Sequence, residues 1–121
     1  MPLESQHTPD LLVIAAAASA ILAIAAGAFA AHAMSGKPVE WLHTGMEYQL
    51  AHATVAMSLS RVAKWRMCAW IMICAAGVFS GSLYFMAFGS PHWLGAVTPL
   101  GGVGMMAGWL CLVIKEFGDS A

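Results

Sequence analysis

Residues 41–60 read WLHTGMEYQLAHATVAMSLS, and the meaning of this run decides the fold. About 20 apolar residues cross the hydrocarbon as a helix, and the run is long enough to do so. Yet it carries His43, Glu47, Tyr48, Gln49 and His52. An ionisable group inside a bilayer costs about 2.5–3.5 kcal/mol on insertion scales, so Glu47 requires a partner or a water-filled pocket. The segment is therefore a membrane span and the first place to look for function.

The rest of the chain has the same character. Of its 121 residues, 60% are hydrophobic and 9% charged, whereas soluble domains carry about 25% charged residues. The composition predicts an integral membrane protein of the all-α class, a four-helix bundle surrounded by lipid. The length holds four spans, expected at about residues 11–31, 41–60, 67–88 and 99–114, and residues 1–121 are read as a single membrane domain. A net charge of −1 with no basic patch argues against nucleic acid as a partner.

Local signals set the boundaries. Asp10 can cap the first span. Ala31-His32-Ala33 imitates a signal-peptide cleavage site, but Glu4 and Asp10 precede the apolar run, Lys and Arg do not, and the run is too long, so a retained span is expected. Gly36 and Pro38 fall in a short connection, and short connections make neighbouring helices antiparallel. Gly89-Ser90-Pro91 ends the third span. Thr98 as cap and Pro99 at the first helical position start a fourth that is short for a full crossing. Residues 92–97 are expected at the interface, anchored by Trp93. Arg61, Lys64, Arg66 and Lys115 fall on one side and Lys37 on the other, which places both termini in the cytoplasm by the positive-inside rule.

Lipid tails are as apolar as leucine, so spans associate through small residues that let backbones approach. Ser19, Ala20, Ala23, Gly27 and Ala30 supply such a face, as do Gly77-x-x-x-Gly81 and Gly104-x-x-x-Gly108. They are read as packing within one bundle, with self-association into a dimer or trimer as the alternative. Gly27-Ala-Phe-Ala-Ala31 resembles Gly77-Val-Phe-Ser-Gly81, and Glu40-Trp41-Leu42 resembles His92-Trp93-Leu94, which suggests a 2+2 repeat of helical hairpins. Cys68, Cys74 and Cys111 show no CxxC or metal spacing and read as small core residues.

On a helix, His43 and Glu47 lie about 40° apart and can pair. Thr54 and Ser58 continue their face, Tyr48, Gln49 and His52 take a second sector, and Leu42, Met46, Leu50, Ala53 and Met57 form the remaining apolar stripe. That stripe is expected to face lipid or another protomer, and the polar sectors the interior. His32, His43, Glu47, Ser80 and Tyr84 then converge in the outer half of the bundle, with His52 deeper. The leading reading is structural: Glu47 pairs with His43 or Tyr84 and orients the helices, and the cluster binds a ligand or partner. Transport of protons or a small solute through Glu47 with His43 or His52 is the alternative. A third is an electron-transfer subunit, with a metal on His32, His43 and Glu47 or a haem or quinone near His52. No cofactor is expected and no catalytic motif stands out.

Four ordered blocks carry a family resemblance. Gly27-Ala-Phe-Ala-Ala-His32, the stretch from Trp41 through Thr44-Gly45 and Glu47-Tyr48-Gln49 to His52, Phe79-Ser-Gly-Ser-Leu-Tyr84 and Thr98-Pro-Leu-Gly-Gly102 resemble the family catalogued as domain of unknown function 423. It comprises small bacterial inner-membrane proteins and a similar transmembrane protein in animals. The resemblance implies a four-helix membrane protein without an assigned biochemical role. It also implies that His32, Glu47, Tyr48, Gln49, His52, Ser80, Tyr84, Thr98 and Pro99 belong to the family's motif blocks. Ala30 stands where members typically have Gly, which keeps the site small.

Overall fold

The computed structural model describes residues 7–118; Glu4 lies outside them. Asp10 begins the first helix, its carboxylate accepting a hydrogen bond from the Leu12 N–H at 3.0 Å. Helix α1 then runs over Leu11–His32. Gly36, at φ 75°, makes the left-handed turn into α2, Lys37–Leu59, with Pro38 in the first turn. Helix α3 covers Arg66–Ala87 and α4 covers Thr98–Gly118. Short 3-10 segments at Ala63–Trp65 and His92–Ala96 precede them. Helices α1, α3 and α4, the last two taken with their leading turns, are long and apolar enough to cross a membrane. Helix α2 has the length, and its polar residues lower its hydropathy.

Two boundaries differ from expectation. Helix α2 starts at Lys37 because Gly36 and Pro38 initiate it rather than merely interrupt the chain. Glu47 therefore lies about 15 Å along the helix from its start, on a rise of about 1.5 Å per residue, close to the middle of α2. Helix α4 has 21 residues, about 32 Å, long enough for a full crossing rather than short of one; Lys115 and Glu116 extend it, being good helix formers.

The order is up–down–up–down. Helix α2 packs against α1 and α3, α3 packs against α2 and α4, and α1 touches α3. Helix α4 leans on α3 and reaches α2 mainly through Trp109. Small residues make these contacts. Leu12, Ala16, Ala56 and Ala69 pack at one end, and Ala26, Ala30, Leu42 and Ala87 at the other. On α4, a Cβ at Gly101, Gly104 or Gly108 would stand 2.6 Å from Phe79 Cα, 2.7 Å from Ala75 Cβ or 2.6 Å from Met72 Cγ. Close approach of α4 to α3 thus depends on that glycine face. Gly27 serves the same purpose against Met46.

Gly77 and Gly81 do not. Nothing lies within 4 Å of a Cβ built on either, so they look away from the bundle, on the face that also carries Cys74 and Phe85. Since Gly27 faces a neighbouring helix and Gly77 does not, the repeated pentapeptides occupy unlike surroundings. The cysteines also depart from the sequence reading. Cys68 and Cys111 are joined in a disulfide between α3 and α4, with Cα atoms 5.6 Å apart, and Cys74 is exposed. Only the antiparallel register of these two helices brings the pair together, and no local spacing encodes it.

A clamp closes the end of the bundle where α1 begins. The Arg66 guanidinium donates to both Asp10 carboxylate oxygens, at 2.7 and 2.8 Å, and to the Ser60 carbonyl at 2.8 Å. One side chain thus joins the start of α1, the end of α2 and the start of α3. These hydrogen bonds hold the Asp10 carboxyl down at about 2.

Candidate functional site

The polar residues of the central helices divide into two groups with opposite orientations. The first faces inward. Tyr84, on α3, leans toward the N-terminus of its helix, as helical side chains do, and lies across Gly45 of α2. A Cβ there would be 2.5 Å from Tyr84 Cε1, so only glycine leaves room for the ring. The phenol then donates to Gln49 Oε1 at 2.7 Å, and Gln49 is 4% exposed. Ser80, fully buried one turn before Tyr84, donates to the Gly45 carbonyl at 2.7 Å. Ser82 and Thr98 share a 2.6 Å hydrogen bond between α3 and α4.

His52 completes this group. Trp109 Nε1 lies 3.1 Å from His52 Nε2, and an indole nitrogen only donates. His52 Nε2 is therefore the acceptor, and Nδ1 carries the proton that goes to the Tyr48 carbonyl at 2.7 Å. Both ring nitrogens are engaged and one tautomer is fixed. The Tyr48 ring rests on Phe79 with centroids 4.8 Å apart.

The second group faces outward, which reverses the sequence expectation for the His43–Glu47 face of α2, while Gln49 and His52 lie inside as expected. His43, Thr44, Glu47, Ala51, Thr54 and Ser58 are exposed, as are Tyr48, which the sequence reading placed inside, and Met57, whereas Leu42, Gly45, Gln49, His52, Ala53 and Ala56 are buried. Neither the expected Glu47–His43 pair nor a Glu47–Tyr84 pair forms, and Tyr84 is engaged by Gln49 instead. The physical reason is the demand for close approach. Helix α2 is wedged between α1 and α3, so it turns Gly45, Ala53 and Ala56 toward them. Leu42 follows into the core, and Met46 and Leu50 are half-buried. Of the residues the sequence reading placed inside, His43, Glu47, Tyr48, Thr54 and Ser58 are turned away.

The outward face changes along its length. Thr54 Oγ1 donates to the Leu50 carbonyl at 2.8 Å, and Ser58 Oγ to the Thr54 carbonyl at 3.2 Å. Those hydroxyls are satisfied by their own helix, which makes that half of the face tolerable to lipid. Glu47 and His43 have no hydrogen bond or ion pair among the described residues. A shallow recess of about 260 Å³ opens beside them, lined by Glu47, Tyr48, Ala51 and His52. His32 is exposed at the end of α1. Among the described residues no three His, Cys, Asp or Glu side chains gather to hold a metal ion, so His32, His43 and Glu47 are not assembled as a ligand set.

Sequence reasoning missed three participants. Trp109 lies outside the quoted motif blocks, Gly45 enters one of them with no role assigned, and Arg66 is read from sequence only for its charge. The spacing of small residues in α2, Gly45 to Ala53 to Ala56, held the signal for Gly45; nothing local signalled the other two.

Four apolar-cored helices, three of them able to cross a bilayer on composition alone, define a small helical integral membrane protein. The chain belongs to the family described as protein of unknown function (DUF423), which matches residues 26–102. That segment includes both partners of the Ser80–Gly45, Tyr84–Gln49 and Ser82–Thr98 contacts and stops before Trp109. The chain is 36% identical to the membrane protein YwdK of Bacillus subtilis over 115 residues, 86% of this chain and 94% of that protein. It is 37% identical over 112 residues to a membrane protein of Haemophilus influenzae, 84% of this chain and 89% of the relative. The inner membrane protein YgdD of Escherichia coli K12 is 34% identical over 117 residues, 88% and 89% of the two chains. No solved structure matches the chain.

Proposed function

We propose that this protein is a non-enzymatic docking module of the bacterial inner membrane, whose α2 presents His43, Thr44 and Glu47 to a partner within the bilayer. The observation that carries this reading is Glu47 itself: near mid-helix, outward and unpaired. A carboxylate facing lipid at that depth is costly, and the own-chain contacts that could relieve it are absent among the described residues. The other three helices support the reading by contrast. Their outward residues include Ile14, Ile21, Leu22 and Ile24 on α1, Met67, Val78 and Phe85 on α3, and Val103, Met106, Leu110 and Ile114 on α4, all suited to lipid. The inward polar network holds the helices in register and leaves α2's outer face free for recognition. With Arg61, Lys64, Arg66 and Lys115 at one end and Lys37 at the other, the chain crosses four times with both termini cytoplasmic.

A photocrosslinking amino acid at Ala51, on the same face, tests this in the membranes of living cells. The expected result is a discrete protein adduct from Ala51 and none from Ile24 or Val103, which are 62% and 59% exposed on the lipid-suited faces. Lipid-only adducts from Ala51 would refute the reading. Proton or solute transfer remains a second reading because His43 stands one turn from Glu47 on the same face. His52 takes no part in it, since both of its ring nitrogens are engaged.

A further inference from the structure

The docking face is self-complementary, and we infer that its partner is a second copy of this chain, α2 against α2, with Glu47 of each copy accepting a hydrogen bond from His43 of the partner subunit. The inference rests on the reading that α2's outer face is covered by protein, and it names what covers it.

Charge pattern is the first argument. One face holds one acid and one imidazole, a single turn apart, neither engaged within its own chain among the described residues. A foreign partner would have to bring both a donor and an acceptor at matched depths. A second copy brings them automatically. In a two-fold dimer whose axis runs along the membrane normal, each residue stands at the depth of its counterpart, and the interface is isologous. His43 sits about 6 Å toward the N-terminus of α2 from Glu47, and glutamate side chains lean in that direction along a helix. The carboxylate of each chain thus reaches toward the level of His43 of the partner subunit, with Thr44 beside it as a further donor.

Shape is the second argument. At about 100° per residue, His43, Thr44, Glu47, Ala51, Thr54 and Ser58 fall within one sector of roughly 100°. Beyond Glu47 the face consists of Ala51, Thr54 and Ser58, small residues at the spacing that lets two membrane helices approach closely. Thr54 and Ser58 have turned their hydroxyls onto the Leu50 and Thr54 carbonyls one turn earlier, so they present methyl and methylene surface. The face therefore has a close-packing half and a polar, pairing half. No other helix combines these. The outward glycines Gly77 and Gly81 on α3 are flanked by Val78 and Phe85, which lipid accommodates.

The test uses the full chain reconstituted alone in phospholipid vesicles. With Cys74→Ser as background, Ala51→Cys should form a disulfide-linked dimer on mild oxidation, and Ile24→Cys should not. Dimerisation measured by energy transfer between two labelled populations should weaken at least tenfold in His43→Glu, which places two acids in each copy, and in Glu47→His. The exchange His43→Glu with Glu47→His should restore it to within about threefold, because self-complementarity returns. These side chains are on the surface, so the exchange also guards against loss through misfolding. A monomer at every protein-to-lipid ratio, an exchange no better than the single variants, or oxidation that links native chains through Cys74 would overturn the inference. If in addition Ala51 gives in-cell protein adducts whose added mass is not that of a second copy, another protein occupies the face and the docking reading survives. If Ala51 gives only lipid adducts, both fall.

Discussion

Gly45→Ala is the smallest change that probes the inward network. The added Cβ meets Tyr84 at 2.5 Å from Cε1, 3.1 Å from Cδ1 and 3.2 Å from Cζ. Three ring atoms at such distances cannot be relieved by rotating a flexible chain end, so the whole ring moves. Overpacking of this kind costs about 1–3 kcal/mol. Displacing the ring also withdraws the phenol from Gln49 Oε1, which is buried and has no other donor among the described residues; a stranded buried acceptor costs about 1–3 kcal/mol. Alanine returns up to about 1 kcal/mol through its helix preference. The net expectation is a loss of about 3 kcal/mol, close to a hundredfold in the unfolding equilibrium. Titrating the purified protein in mixed micelles with a denaturing detergent, followed by circular dichroism, measures it. Tyr84→Phe removes the hydroxyl and keeps the ring, so it should lose only the stranded-acceptor cost of about 1–3 kcal/mol. In the double variant the stranded-acceptor contribution is counted once, and the two losses should be less than additive. A Gly45→Ala protein within about 0.5 kcal/mol of the parent, the range of ordinary surface changes, would refute the placement of Tyr84 over Gly45.

The outward and inward glycines should separate in the same assay. Gly101→Ala places a Cβ 2.6 Å from the Phe79 Cα, a backbone atom, and should cost at least about 2 kcal/mol or detach α4, whereas Gly77→Ala and Gly81→Ala, facing open space, should be neutral or gain up to about 1 kcal/mol from helix preference. The Asp10–Arg66 clamp should give an acid-side dependence of stability. Arg66 lowers the Asp10 carboxyl from an ordinary 3.8 to about 2, so its contribution is fully present above the ordinary value and is lost as pH falls toward 2. Asp10→Asn should remove that pH dependence while leaving the remainder of the acid titration intact, and an unchanged curve would show that the clamp does not contribute.

Much of the architecture is legible in the sequence because a bilayer permits few solutions. Runs of bilayer length, Asp10 before the first, Gly-Ser-Pro after the third and Thr98-Pro99 before the fourth give four helices in alternating direction. Small residues identify the packing face of α1, where Ser19, Ala23 and Ala30 are buried as their spacing implies, and of α4 at Gly104 and Gly108. The identical logic misleads at Gly77 and Gly81. A small residue permits close approach, and only the position of the neighbouring helix determines whether anything approaches. The Cys68–Cys111 link and the Trp109–His52 contact are invisible for a related reason: each depends on a register between helices, fixed by glycines whose partners are far away in the chain.

Helix α2 shows where two physical rules compete. Burying polarity predicts Glu47 and His43 inside, and close packing predicts Gly45, Ala53 and Ala56 inside; the two faces are nearly opposite. Packing prevails because α2 has neighbours on two sides and must bring its backbone near both. Polarity is then accommodated selectively. Gln49 and His52 go inward because Tyr84 and Trp109 meet them with donors of the right reach, and a neutral amide or imidazole with its hydrogen bonds made is inexpensive to bury. Glu47 has no such partner and its charge makes an incomplete burial costly, so it stays on the outer face. On the docking reading proposed above, the residue least suited to lipid is thereby the one left for an intermolecular contact, and the low hydropathy of α2 is that of a helix covered by protein on its outer face as well.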